Sequence, residues 1–179
     1  MVLYRALSIL LALIILMFGG MVAFFMPTHP AWATKVPRLR WPGIIIGTAV
    51  LAVCAYEGAA ILPGTRWAGL FWALVPCTAI AAWFTLDFLM ARALSGVVIL
   101  LANYAIQHAF AYHCACRPLY AVVALAWGLV ATACLAWPWW FRDILVKCAE
   151  QSSKALRYAI LAVCVLSAVV LAILPFVGK

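Results

Sequence analysis

The chain has 179 residues, of which 70% are hydrophobic and only 9% are charged, and its formal net charge is +8. Soluble domains are about half apolar and about a quarter charged, so a chain of this composition cannot bury its apolar residues within itself in water. The composition therefore predicts an integral membrane protein. It also argues against nucleic acid as a partner, because the positive residues fall in short connections between apolar runs and not along one basic surface.

Six apolar runs follow one another along the chain, at about residues 3–25, 42–62, 68–86, 91–112, 119–141 and 158–177. Each run is long enough for a helix to cross hydrocarbon about 30 Å thick. Helices satisfy their own backbone hydrogen bonds in a bilayer, and the short connections favour antiparallel neighbours. We therefore predict one all-α polytopic membrane domain over residues 1–179, an antiparallel bundle of about six transmembrane helices.

Two parts of this division stay open. The third and fourth runs are separated only by Asp87 and Arg92, so one long bent helix is an alternative that would leave five spans. The first run follows "MVLYR" and precedes "AWA", an order that resembles a secretory signal peptide. Its apolar run of about 20 residues exceeds the roughly 7 to 15 of a typical signal, which favours an uncleaved first helix.

Lysine and arginine are distributed unequally between the two sides of the predicted bundle. The side with loops 27–41, 87–91 and 142–157 carries eight of the twelve, if Arg92 is counted with the second of these loops. Because positive loops stay in the cytoplasm, we expect these three loops to be cytoplasmic and both termini to be extracytoplasmic. The expected location is a bacterial-type inner, or plasma, membrane.

Charge is dense only in "RDILVKCAEQSSKALR", residues 142–157. Acidic and basic residues mix there, and Glu150 and Lys154 form an i,i+4 pair in the favourable order. The pattern predicts a short helix at the cytoplasmic surface or, equally, an extension of the fifth or sixth helix beyond the bilayer. Just before it, Trp137, Trp139 and Trp140 are typical of an interfacial aromatic belt more than of a ligand-stacking site.

A few polar residues lie inside the apolar runs, at one predicted depth. Glu57 is near the outer end of the second run, and Asn103, Gln107 and His108 are in the outer half of the fourth. Because polar groups are costly in hydrocarbon, we expect these residues to form a cluster. Hydrogen bonds that fix helix packing are the favoured interpretation. The alternative is a proton, metal or headgroup site with Glu57 as base or as counter-ion to His108.

A second group of candidate ligands lies in "QHAFAYHCACRP", residues 107–118. His108, His113, Cys114 and Cys116 offer nitrogen and sulfur atoms that suit Zn or Cu. The spacing fits poorly, because the histidines are five apart and C-x-C is not the C-x2-C of structural zinc sites. A disulfide between the two cysteines would close a small, strained and therefore labile ring. A turn that ends the fourth helix is the favoured interpretation, and no cofactor is expected.

Motifs of common enzyme classes are missing: the sequence has no P-loop, no G-x-S-x-G and no H-E-x-x-H. We therefore favour a non-enzymatic accessory, scaffold or assembly subunit in the lipid bilayer, bound to a larger membrane complex or to copies of itself. One alternative is a transporter or channel component that uses the cluster of Glu57 and His108. The other is a membrane thiol-redox or metal-handling protein that uses the 108–116 stretch.

Overall fold

The computed structural model describes residues 2–61, 68–111, 116–150 and 153–177. Nearly all of these residues are helical, and none of them forms a strand. Within the described ranges, five helices are long and apolar enough to cross a membrane: Arg5–Thr28, Arg40–Ile61, Leu89–Ala111, Arg117–Ala136 and Lys154–Phe176. The prediction of an all-α chain with several membrane-length helices is therefore confirmed for this part of the chain.

Short helical pieces connect the long helices. Helix α1 spans Val2–Gly20 and continues through a π-helical stretch, Met21–Phe25, into α2, Met26–Thr28. Helix α3, Trp32–Lys35, and a 3-10 turn, Val36–Arg38, lead into α4, Arg40–Ile61. The remaining helices are α5 (Ala68–Thr85), α6 (Leu89–Ala111), α7 (Arg117–Ala136), α8 (Pro138–Ala149) and α9 (Lys154–Val177).

The predicted third run, residues 68–86, forms a helix of its own. Phe88 interrupts the path between α5 and α6 with a φ of 58°, in the left-handed region that a helix cannot contain. The alternative of one long bent helix is therefore wrong. Helix α5 has 18 residues, and its apolar part, Gly69–Thr85, is shorter than the five membrane-length helices.

The fifth helix ends earlier than the predicted residue 141. Helix α7 stops at Ala136, and Trp137 leaves helical geometry with φ −121° and ψ 74°. The cause is Pro138, which lacks a backbone donor and disfavours helical dihedrals in the residue before it. Residues 138–149 then form the separate helix α8, whereas Lys154 begins α9. The charged segment 142–157 is thus partly a short separate helix and partly an extension of the predicted sixth helix.

Helix α6 packs against α7, α4 and α1, and α1 also packs against α9. The guanidinium of Arg5 lies 4.8 Å from the ring centroid of Phe176, so the start of α1 meets the end of α9. Where these helices meet, the buried side chains are mostly aliphatic or small: Leu11, Ala12, Ile15, Leu101, Ala105, Ala109, Tyr120, Ala124, Cys164, Ala168 and Leu171. The Ser8 and Tyr120 hydroxyl groups share a buried hydrogen bond of 2.7 Å in this interior.

Helix α8 covers one end of the bundle. Leu145 and Cys148 are fully buried there against Val22, Met26 and Ala33. We call this end, formed by α2, α3, α8 and the first turns of α4, α6 and α9, the basic end. Eight of the twelve lysine and arginine residues belong to it, namely Lys35, Arg38, Arg40, Arg92, Arg142, Lys147, Lys154 and Arg157.

Small residues bring α4 close to α6. A Cβ atom at Gly43 would lie 2.8 Å from the backbone nitrogen of Met90, and one at Gly96 would lie 3.0 Å from a methyl carbon of Val50. Along this interface the residue numbers of both helices rise in the same direction, so α4 and α6 run parallel. Helix α5, which lies between them in sequence, brings the chain back to the end where α4 began. Close approach through glycine is a common way for helices to associate in a bilayer.

Candidate functional site

The predicted polar residues lie on α4 and α6, near the end of the bundle opposite the basic end. Glu57 is in the last two turns of α4, and Asn103, Gln107 and His108 are in the last three turns of α6. The parallel packing of the two helices carries both groups to the same depth. The structure therefore places the four residues toward one end of the α4–α6 pair, and their role as a common site stays a prediction.

Tyr104, which is not one of the predicted site residues, connects the two helices. The Tyr104 hydroxyl donates a hydrogen bond of 2.5 Å to Oε1 of Glu57. Glu57 is exposed and Tyr104 is half-buried, so the bond lies at the surface of the bundle. The sequence contains one indication that Tyr104 belongs to this group: it lies four residues before His108, on the same face of the helix.

Tyr104 also contacts His108. The two rings stack with their centroids 6.4 Å apart and an angle of 16° between their planes. Tyr104 thus touches both residues that the sequence analysis proposed as partners. Tyr104 therefore joins the two residues, through its hydroxyl with Glu57 and through its ring with His108.

Asn103 and Gln107 form a second pair on α6. Gln107 Nε2 donates to Asn103 Oδ1 at 3.3 Å, and both side chains are exposed. We call Glu57, Asn103, Tyr104, Gln107 and His108 the polar patch. The patch lies on the outside of the bundle, whereas the interior between α1, α6, α7 and α9 is mostly aliphatic.

The predicted metal or thiol-redox stretch is only partly described. His113 and Cys114 lie outside the described residues, while Cys116 is exposed, has a φ of 51° and directly precedes α7. In the part of the chain that the structure covers, no three His, Cys, Asp or Glu residues are placed to hold a metal ion. The metal and redox interpretations of His108, His113, Cys114 and Cys116 therefore stay predictions.

The polar patch offers one carboxylate, two amides, a phenol and an imidazole within about three turns of α6 and the end of α4. Such groups donate and accept hydrogen bonds, and they have few partners in hydrocarbon. The arrangement suits the binding of polar side chains that enter from outside the bundle. Searches with the chain find no matching family model, no matching curated protein and no matching solved structure.

Proposed function

We propose that this protein is a multi-pass protein of a bacterial-type inner membrane that acts as a non-enzymatic subunit of a larger membrane complex. The observation that carries the proposal is the exposed carboxylate of Glu57 in a membrane-length helix. A charged side chain costs about 2.5 to 3.5 kcal/mol at the centre of a bilayer on insertion scales, and Glu57, near the end of its helix, would bear part of that cost. A partner helix with donor groups would cover Glu57, Asn103 and Gln107 and remove much of that cost.

The proposed topology has six spans, with α5 as the third. Among the described helices, α5 makes an extensive contact with α4 alone. The basic end would then lie in the cytoplasm, with loops 27–41, 87–91 and 142–157, and both termini would lie outside. The eight positive residues of the basic end support this orientation.

The alternative of a transporter or channel requires a polar route through the protein. Among the described buried polar residues, Ser8 pairs with Tyr120 and Ser95 donates to the backbone oxygen of Ala91 at 2.8 Å. These bonds satisfy the two buried serines, and the third buried polar residue, Arg157, belongs to the basic end. The exposed position of the polar patch therefore supports contact with a partner more than passage through this chain alone.

Site-specific photo-crosslinking in native membranes tests the proposal. A photoreactive benzoylphenylalanine at Gln107 should give a protein adduct, whereas one at Leu166, which is 68% exposed on α9, should react mainly with lipid. Glu57→Gln should weaken the adduct from position 107, because it removes the charge that the partner covers. An adduct of twice the chain mass would identify the partner as a second copy.

Two results would contradict the proposal. One is the absence of any protein adduct from position 107, or the same adduct from position 166. The other is proton flux in liposomes that contain only the purified protein, measured with an internal pH dye, if Glu57→Gln abolishes it. The second result would favour the transporter alternative.

A further inference from the structure

An apolar cleft separates α7 from α9 on a part of the bundle that the polar patch does not reach. Its volume is about 490 Å³, and its lining includes Ala126 and Trp127 of α7, Ile144 of α8, and Ile160 and Cys164 of α9. This volume is within the range of roughly 300 to 1,000 Å³ that is usual for small-molecule sites. A cleft of this composition between membrane-length helices suits a hydrocarbon chain.

Arg157 lies on α9 one turn before the cleft and is not one of the residues that line it. It precedes Ile160 by three residues and Cys164 by seven, spacings that share one side of a helix. The residue is only 7% exposed, and its guanidinium Nε is buried without a hydrogen-bond partner among the described residues. A buried guanidinium N–H without an acceptor is costly, and an anion is the strongest acceptor for it.

The charge of Arg157 acts on Cys148 of α8. Burial raises the pKa of the Cys148 thiol, and the positive charge of Arg157 partly offsets that effect. Cys148 follows Ile144 by four residues on α8, and Ile144 lines the cleft. Arg157 therefore lies just beyond the lining of the cleft, in the first turn of α9, where α9 contacts α8.

The carboxylates of the basic end do not neutralise its cations. Three acids, Asp87, Asp143 and Glu150, accompany the eight positive residues. Asp143 forms an ion pair with Arg142, whose guanidinium lies 2.6 Å from Asp143 Oδ1. Among the described residues, this is the one ion pair. The buried cation at the end of the cleft thus lacks an internal counter-charge in the part of the chain that is described.

We propose that the cleft between α7 and α9 binds an anionic phospholipid, with an acyl chain along the cleft and the phosphate on Arg157. The exposed Trp139 and Trp140 of α8 are typical of the headgroup level, where a lipid phosphate lies. A guanidinium matches two phosphate oxygens at once, and basic pockets between helices on the cytoplasmic side commonly bind anionic headgroups. This site is independent of the proposed contact with a partner.

Native mass spectrometry of the purified full chain tests the site with phosphatidylglycerol and phosphatidylcholine as probes. Wild-type protein should retain phosphatidylglycerol in preference to phosphatidylcholine, and millimolar inorganic phosphate should not displace it. Arg157→Gln should weaken retention of phosphatidylglycerol by about tenfold, as the loss of a charge-assisted hydrogen bond implies. The control is Lys154→Gln, which removes the same charge from an exposed position one turn earlier.

A second pair of variants tests the cleft without altering charge. Ala126→Phe should fill the cleft and reduce phospholipid retention, while Ala73→Phe on the exposed surface of α5 should not. Equal retention of the two lipids by wild-type protein would overturn the proposal. So would equal effects of Arg157→Gln and Lys154→Gln, or unchanged retention in Ala126→Phe. If Arg157→Gln does not fold, the comparison of lipids and the Ala126→Phe variant still decide the question.

Discussion

Tyr104 holds α4 to α6 through one hydrogen bond between side chains. Its hydroxyl donates to Glu57, and water would not compete for that bond if the two helices lie in a bilayer as proposed. Hydrogen bonds between helices in membranes contribute about 0.6 to 2 kcal/mol, so we expect Tyr104→Phe to lower the free energy of unfolding by about that amount. Reversible unfolding in mixed micelles with increasing dodecyl sulfate measures the change.

Tyr56→Phe is the matched control, since Tyr56 is an exposed tyrosine on α4 beside Glu57. It should leave the free energy of unfolding nearly unchanged. A double-mutant cycle of Tyr104→Phe with Glu57→Ala should give a coupling energy of about 0.6 kcal/mol or more. Independent effects of these two changes would show that the contact does not stabilise the fold.

Cys148 is a residue whose reactivity reports on the basic end. The side chain is fully buried, and burial raises the pKa of its thiol. Because the thiolate is the reactive form, alkylation of Cys148 by iodoacetamide at pH 8 should be slow, and its rate should keep rising above the pH at which an ordinary thiol levels off. The rate is measured by mass spectrometry on a variant that retains this cysteine alone.

A variant that retains only Cys116 gives the comparison, because Cys116 is exposed. Cys148 should react much more slowly than Cys116 in mild detergent, and the difference should largely disappear in dodecyl sulfate. Equal rates in mild detergent would mean that α8 does not stay packed on the bundle.

At the level of the helices, α4 depends on glycine at its contact with α6. A methyl group at Gly43 would meet backbone atoms of Met90 and Leu89 at 2.8 to 3.0 Å, and backbone cannot move aside cheaply. We expect Gly43→Ala to separate the helices and lower the free energy of unfolding by about 1 to 3 kcal/mol, as overpacking usually does. Unfolding in mixed micelles again provides the measurement.

Gly47 provides the control one turn further along α4. A Cβ atom there would lie 3.8 Å from the Cβ of Ala93, an ordinary contact, so Gly47→Ala should be tolerated or slightly stabilising. If Gly43→Ala is tolerated as well as Gly47→Ala, the closeness of α6 does not restrict position 43, and helix propensity accounts for both results.

The same helices show which features the sequence could predict. Apolar length located α4, α6 and α9 to within a few residues, because a helix that crosses a bilayer needs about 20 apolar residues. The early end of α7 was predictable in principle from Pro138, which the length rule ignored. The contact of Tyr104 with Glu57 was not predictable, since it requires the parallel offset of α4 and α6 that Gly43 and Gly96 permit.

The whole molecule has two chemically different ends, and this asymmetry is the basis of both proposals. The polar patch lies near one end, where Glu57 would meet a partner helix within the bilayer. The basic end carries the buried Arg157, the residue proposed to bind a lipid phosphate. The two features belong to different helix pairs, α4 with α6 and α7 with α9, so a bound lipid and a bound partner would not compete for the same surface.

The orientation of the whole molecule can be measured with one thiol at each end. We expect a Cys116-only variant to react with a membrane-impermeant maleimide from the outside of intact spheroplasts, since Cys116 is exposed at the start of α7, opposite the basic end. A variant whose only cysteine is introduced by Lys154→Cys, at the basic end, should react only in inverted vesicles. Eight positive residues against four set this direction, because positive loops are retained in the cytoplasm. The opposite labelling pattern would place Arg157 in the outer leaflet and would show that this chain does not follow the positive-inside rule. Labelling of both thiols from the same side would contradict the antiparallel path of α7 and α9.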